Sequence, residues 1–254
     1  MKTLVTGSTG FLGSSVLREL INDGREVKAL IRKGTSKKNI TGLDVEIAYG
    51  DLRDIESIRS ALNGCDILYH VAAYYSLWDR NKQLSHEINV KGTRNILRAA
   101  KEKDLKKIVY TSTVGCIGLN EDTTPATENT FFNKNTLSND YKKSKYQAEQ
   151  VALEFARGGL PVVIVNPSTP VGPRDIKPTP TGKIILDFMN REMPAYIDTG
   201  LNLIDVKDCA RGHILAEQKG VPGERYILGN QNMSLLDILL TLEKVTGLKA
   251  PRIK

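Results

Sequence analysis

The feature that most limits what this chain can become is an apolar strand that ends abruptly in spaced glycines. Lys2-Thr3-Leu4-Val5-Thr6 leads into Gly7-Ser8-Thr9-Gly10-Phe11-Leu12-Gly13, and Val16, Leu17 and Leu20 continue the apolar spacing of a helix begun at Phe11 and Leu12. Glycines at such a turn let backbone N–H groups approach a pyrophosphate. The helix behind them turns its positive end toward the same phosphates. The spacing is G-x-x-G-x-x-G rather than the more familiar G-x-G-x-x-G. With 21 glycines in 254 residues a triplet alone means little. The strand before it and the helix after it make it a candidate nucleotide cradle.

The alternation continues along the chain. Further strands are expected at 26–32, 44–48, 66–71, 107–111 and 161–165, and helices at 11–23, 54–62, 83–102 and 138–157. Apolar strands separated by helices make a parallel sheet covered on both faces. A polar loop fills about 119–137. After Asn166-Pro167 the pattern changes, with five prolines between 167 and 180. Beyond them a helix is expected near 182–191, a strand at 201–206, a helix at 207–218, a strand at 224–228 and a helix at 234–246. The proline-rich stretch marks the start of a substrate-binding part.

Bulk properties exclude several classes. An apolar content of 40% and a charged content of 26% describe a globular chain with a real core. No stretch approaches the ~18 apolar residues of a membrane span. The first residues form a strand, not an export signal. Cys65, Cys116 and Cys209 are widely spaced and His70, His86 and His213 do not pair, so neither a disulfide framework nor a metal site is expected. These features suit the cytoplasm. The net charge of +7 is spread over helix surfaces and loops, as at Lys101, Lys103, Lys106 and Lys107, without a basic helix carrying interleaved aromatics. Such a surface attracts phosphorylated small molecules rather than nucleic acid.

Two places carry chemistry. The second strand ends in Ile31-Arg32-Lys33-Gly34, with Lys37 and Lys38 following and no acid between Val27 and Leu43. An acid here would take a ribose 2′-hydroxyl, whereas a guanidinium grips a 2′-phosphate, so NADP(H) is favoured and NAD(H) is the alternative. The second place is Tyr141-Lys142-Lys143-Ser144-Lys145, where Tyr141 and Lys145 share one helix face. Thr111-Ser112-Thr113 ends the fifth sheet strand, at the edge where open α/β sheets bind ligands. An ammonium and an oxidised nicotinamide would draw the Tyr141 pKa down from about 10. Tyr141 would then exchange a proton with a hydroxyl or carbonyl oxygen that Thr113 also holds, and Lys145 would hold ribose hydroxyls. His70 reads as a satisfied residue at a strand end and Cys116 as a small buried filler.

Taken in order, Thr6-Gly7-x-x-Gly10-x-x-Gly13, Gly50-Asp51-Leu52, His70-Val71-Ala72-Ala73, Asn89-Val90-x-Gly92-Thr93, Thr111-Ser112-Thr113, Tyr141-x-x-x-Lys145 and Asn166-Pro167 resemble the extended short-chain dehydrogenases/reductases over the whole chain. Ala73-Tyr74-Tyr75-Ser76-Leu77-Trp78 and the segment 166–182 look most like the hopanoid-associated sugar epimerases, a group often described as similar to dihydroflavonol 4-reductase. The resemblance implies an α/β fold, a Rossmann-type doubly wound parallel sheet. Residues 1–166 would form the dinucleotide-binding domain, with 203–228 returning to it. Residues 167–202 and 229–254 would form a small substrate-binding part, truncated because extended members commonly continue well beyond Lys254.

The resemblance also implies roles for residues. Thr9, Phe11 and Leu12 would join the glycines around the cofactor, Asp51 and Leu52 would flank the adenine, and Val71, Ala72 and Ala73 would line the cofactor channel. Ser112 would join the cofactor contacts, Asn89 would lie near the active-site helix, and Pro167, within the 166–174 segment, would touch the nicotinamide. Tyr75, Asn166 and Arg174 would face the substrate, Arg174 as partner for a diphosphate. Asp51 as a helix N-cap and Asn89 as a structural hydrogen bond are the plainer readings of those two. A homodimer through the 83–102 and 138–157 helices is the family expectation. The chemistry would be hydride transfer at a hydroxyl or keto carbon of a small molecule, a nucleotide-linked sugar above all. Net reduction and epimerisation both remain open, as does a non-catalytic NADP-sensing protein. Threonine at 113, where the family usually has serine, keeps the hydroxyl and adds a methyl group.

Overall fold

The computed structural model describes residues 1–75, 82–122, 124–133, 137 and 140–254. Ser76, Leu77 and Trp78 of the family segment, four positions of the 119–137 loop and the first two of the expected 138–157 helix lie outside the described residues.

The chain begins with β1 (Lys2–Thr6), α1 (Phe11–Asn22), β2 (Glu26–Ile31), β3 (Glu46–Tyr49), α2 (Ile55–Ala61) and β4 (Ile67–His70). Then follow α3 (Lys82–Ser85), α4 (Gly92–Glu102), β5 (Lys107–Thr111), α5 (Asp140–Arg157) and β6 (Val162–Pro167). The remainder holds β7 (Thr169–Val171), α6 (Pro180–Met189), β8 (Gly200–Asp205), α7 (Val206–Lys219), β9 (Arg225–Leu228), β10 (Gln231–Ser234) and α8 (Leu235–Thr246). Seven parallel strands run in the spatial order β3-β2-β1-β4-β5-β6-β9, a doubly wound α/β sheet that reverses direction of winding between β1 and β4. A second sheet of three strands has the order β10-β8-β7.

Alternation within the strands explains the two-sided cover. Leu4, Leu68, Ile108, Val162 and Ile164 pack with α2, α4 and α5, while their neighbours Val5, Ile67, Val109, Val163 and Val165 pack with α1 and α7. Successive side chains of a strand point to opposite faces, so a strand apolar at every position must be covered twice. Burying each such side chain contributes roughly 1.5–3 kcal/mol. A smaller cluster of Phe188, Leu235, Leu239 and Ala250 joins α6 to α8.

Three features depart from the sequence pattern. The single helix expected at 83–102 is instead α3, a π-helical stretch from His86 to Lys91, and α4. Apolar periodicity does not register the widened turn that the stretch introduces. β7 lies inside the proline-rich stretch, and Pro170 is tolerated because β7 is an edge strand. β10 is polar (Gln231-Asn232-Met233-Ser234) and forms by antiparallel pairing with β8, from Gln231↔Leu203 to Ser234↔Gly200. Its pairing comes from a distant partner rather than from its own propensity.

Candidate active site

The glycine turn has the build of a phosphate cradle. Gly7 has φ of +70°, and a Cβ there would lie 2.7 Å from the Ala72 nitrogen, so the position accepts only glycine without a shift of β4's end. A Cβ on Gly13 would run into the Gly7 carbonyl. Gly10 donates to the Gly7 carbonyl at 2.9 Å and then caps α1 without a side-chain bond, which leaves the first N–H groups of α1 open to an anion. Ser8 is fully buried beside them, and its Oγ has no partner among the described residues. An unpaired buried hydroxyl at an uncapped helix start fits a pyrophosphate. Val71 and Ala72 are half-buried and Ala73 is exposed just past β4, and the Ala72 N–H donates to Thr6 Oγ1 at 3.1 Å.

The 2′ end of such a ligand would meet the tip of β2. Arg32 and Lys33 are exposed there, and Lys37 donates to the Tyr49 hydroxyl at 2.8 Å. Asn39 donates to the Thr9 carbonyl at 3.1 Å and accepts from Arg18 at 2.9 Å, which ties the turn to the segment after β2. Asp51 is gripped by Arg53, with Nε to Oδ1 at 3.0 Å and Nη2 to Oδ2 at 2.8 Å. Those bonds hold its carboxyl below the usual range, and the charge of Arg32 adds to the effect. Asp51 is not the N-cap of α2; Asp54 accepts from Glu56 and Ser57 in that role. Leu52 is buried, and its carbonyl accepts from Asn95 at 2.9 Å.

At the edge of β5, Thr113 is half-buried and opens a short 3-10 turn, where its Oγ1 accepts from the Gly115 N–H at 3.2 Å. Tyr141 and Lys145 lie one turn apart on α5. Lys145 is buried, donates to the Thr111 carbonyl at 2.8 Å, and sits 5.1 Å over the Tyr110 ring. This bond docks α5 two residues before Thr113. The sequence leads to a Tyr141 phenol drawn toward neutrality by the ammonium and an oxidised nicotinamide acting together. In the protein alone, burial and the neighbouring Tyr75 hold that phenol well above its ordinary pKa. Burial in turn lowers Lys145 to about 8. Tyr75, half-exposed, meets Tyr141 edge to face, with ring centroids 4.6 Å apart and an interplanar angle of 77°.

The π stretch serves this arrangement. Asn89, buried within it, accepts from the Tyr74 N–H at 2.7 Å and donates to the Tyr74 carbonyl at 3.0 Å and to Ser144 Oγ at 2.9 Å. Ser144 passes the bond to the Tyr141 carbonyl at 2.8 Å, so Asn89 holds the first turn of α5 and the segment before Tyr75 together. Asn166 is fully buried, and its Nδ2 donates to the Thr113 carbonyl at 2.9 Å and to Glu149 Oε2 at 2.8 Å. Pro167 ends β6 beside it. Glu149, Ser144 and Arg225 were not picked out in the sequence. Glu149 falls four residues after Lys145 and eight after Tyr141, which is the one sequence signal that could have found it.

His70, His213 and Cys116 take buried, structural positions. His70 bonds Thr6 Oγ1 through Nδ1 at 2.8 Å and Thr93 Oγ1 through Nε2 at 3.1 Å, and burial lowers its pKa to about 3. His213 donates from Nδ1 to the Cys209 carbonyl at 2.7 Å, so its Nε2 accepts from Thr111 Oγ1 at 3.1 Å. Cys116 is buried and its thiol is pushed up to about 12 by that burial. Arg174 lies exposed on the loop after β7 with φ of +72°, a left-handed conformation unusual for a side chain of its size. Burial lowers the pKa of Arg18 on α1, and the nearby charge of Arg174 adds to this. Among the described residues no helix is long and apolar enough to cross a membrane, and no three His, Cys, Asp or Glu side chains gather for a metal.

Comparisons with known proteins show the family and the fold. Residues 3–229 match the model of the NAD dependent epimerase/dehydratase family. A Synechocystis protein named "Putative dihydroflavonol 4-reductase" is 49% identical over 252 residues, covering 98% of this chain and 73% of that one. Sterol demethylase protein B of Methylococcus capsulatus is 38% identical over 253 residues, covering 100% and 77%. The crystal structure of Thermus thermophilus UDP-glucose 4-epimerase in complex with NAD superposes with a TM-score of 0.85 at 26% identity, covering 100% of this chain and 86% of that one.

Proposed function

The chain belongs to the NAD dependent epimerase/dehydratase family, and from that membership we propose that it is an NADP(H)-dependent reductase converting a ketone carbon of a small molecule into an alcohol. The observation that carries this reading is the charge at the end of β2. Arg32 and Lys33 are exposed there, and the carboxylate that feels Arg32, Asp51, is already gripped by Arg53. A 2′-phosphate finds guanidinium donors in this place, whereas a ribose 2′-hydroxyl would have to compete with Arg53 for Asp51. The Tyr75 ring beside Tyr141 supports a substrate with an apolar or aromatic face near its carbonyl. The name of the Synechocystis relative points the same way.

When bound, the nicotinamide supplies the hydride. Tyr141 donates the proton to the carbonyl oxygen, a role suited to a phenol that burial keeps protonated. Thr113 Oγ1 accepts from the Gly115 N–H, so its own proton is free to hydrogen-bond the same oxygen. Lys145, charged below a pKa of about 8, stabilises the phenolate that remains after proton transfer.

Epimerisation of a nucleotide-linked sugar is the second reading, favoured by the exposed Arg174 guanidinium as partner for a diphosphate and by the similarity to the Thermus epimerase. Stoichiometry separates the two. Reduction of dihydroquercetin, a dihydroflavonol, consumes one NADPH per product, whereas interconversion of UDP-glucose consumes none. Cofactor choice is tested by Arg32→Asp, which is expected to weaken NADPH binding at least about tenfold while leaving NADH within about threefold. Equal losses for the two cofactors in a fluorescence titration would remove the basis of the NADP(H) assignment.

A further inference from the structure

A buried polar chain runs from the candidate site to the far edge of the sheet. Glu149 and Asn166 are both 0% exposed. One hydrogen of the Asn166 amide goes to the Thr113 carbonyl and the other to Glu149 Oε2. The Thr113 main-chain carbonyl can only accept, so the amide nitrogen must face it. The other Glu149 oxygen lies 3.5 Å from Arg225 Nη1, an ion-pair distance beyond hydrogen bonding. Arg225 also donates to the Glu128 carbonyl, and Glu128 Oε1 accepts from the Ile227 N–H at 2.8 Å. The register of β6 against β9 places this chain, with Ile164 opposite Arg225 and Asn166 opposite Ile227.

Thr113 needs such support. The β5–β6 ladder reaches the Ser112 N–H, which donates to the Val165 carbonyl at 2.7 Å, and Thr113 lies just past it. Its carbonyl takes the Cys116 N–H of its own tight turn at 3.0 Å, and Asn166 is what fastens that turn to β6. We infer that Glu149 is a positioning residue: it fixes the Asn166 amide, which holds the Thr113 main chain so that the Thr113 hydroxyl and the Tyr141 phenol converge on one oxygen. Arg225 sets which Glu149 oxygen faces Asn166. The inference rests on the reading of Thr113 and Tyr141 as the reacting pair.

Glu149→Gln tests it. A glutamine must present its amide nitrogen either to Arg225 or to Asn166, and both are donors. The guanidinium 3.5 Å away repels the amide nitrogen and draws the glutamine oxygen toward itself, the turn loses its fixed hydrogen bond, and kcat is expected to fall about tenfold, or ~1.4 kcal/mol, with KM for NADPH within about twofold. Glu149→Gln combined with Arg225→Met removes the competing donor, lets the glutamine oxygen face Asn166, and should return kcat to within about threefold of the parent. A residue that merely filled the core would shift the melting temperature without this loss and recovery. Asn166→Ser carries the same kcat loss without rescue by Arg225→Met and serves if Glu149→Gln does not fold. The assays are NADPH-dependent reduction of dihydroquercetin and interconversion of UDP-glucose. An unchanged kcat in Glu149→Gln or Asn166→Ser, or a double variant no better than the single, overturns the inference while Tyr141→Phe is inactive. Turnover by Tyr141→Phe equal to the parent, or no turnover of either compound by the parent, overturns the reading of the site and the inference with it.

Discussion

Tyr141→Phe is expected to lower kcat by about 10²–10⁴-fold, the usual contribution of a positioned general acid, while NADPH binds within about twofold of the parent. The substitution removes one oxygen and keeps the ring that meets Tyr75 edge to face at 4.6 Å. The Asn89–Ser144 chain that holds the first turn of α5 uses the Tyr141 carbonyl, not its phenol, so it persists in the variant. Folding is therefore expected to be unaffected, and the loss falls on the proton. Single-turnover oxidation of NADPH against a dihydroflavonol measures it. A rate equal to the parent's would mean that the proton comes from elsewhere, and would revive the reading of the protein as a binder that senses NADP.

The second large effect has two opposite signs. Lys145→Met should reduce turnover by at least about 100-fold, because the phenolate left by proton transfer loses its cation. The same change should stabilise the fold at neutral pH. Burial lowers Lys145 from 10.5 to about 8, so below pH 8 both the folded and the unfolded chain carry the proton and the folded one bears the whole cost of a buried ammonium. Between about pH 8 and 10.5 the folded chain sheds the proton first, the unfolded chain binds more, and the parent gains stability with rising pH. The lost bond to the Thr111 carbonyl offsets part of the gain from methionine. The variant should thus be more stable by about 1–3 kcal/mol at pH 7, an advantage that fades across that window. Urea unfolding at several pH values reads this directly. A variant less stable than the parent at pH 7 would show that the buried ammonium supports the fold.

Much of this arrangement is legible in the sequence, because it is local. The glycine turn, the α1 stripe, Arg32 at a strand end and the Tyr141–Lys145 pair each depend on residues a few positions apart, where periodicity and backbone sterics decide. What escaped depends on distant partners. Nothing near Glu149 in the sequence reveals that Asn166, 17 residues on, would spend its amide on it. Nothing near Lys145 reveals that a carbonyl 34 residues earlier would accept from its ammonium. Asp51 looked like a cap or an adenine contact, and the competition with Arg53 emerged only from the fold of that turn. β10 is not legible for the same reason, since a polar strand acquires its identity from β8.

Thr111 closes the account of precision at the site. Its hydroxyl bonds His213 on α7, and its carbonyl bonds Lys145 on α5, so two helices packed on opposite faces of the sheet are gauged against one residue. The amine is therefore registered to both outer layers at once. If either layer slid by a fraction of an ångström, the displacement would be felt first as tension at Thr111, the common datum, rather than as a wandering charge beside the phenol. Alignment of the two helices at the site is thus set at the end of β5.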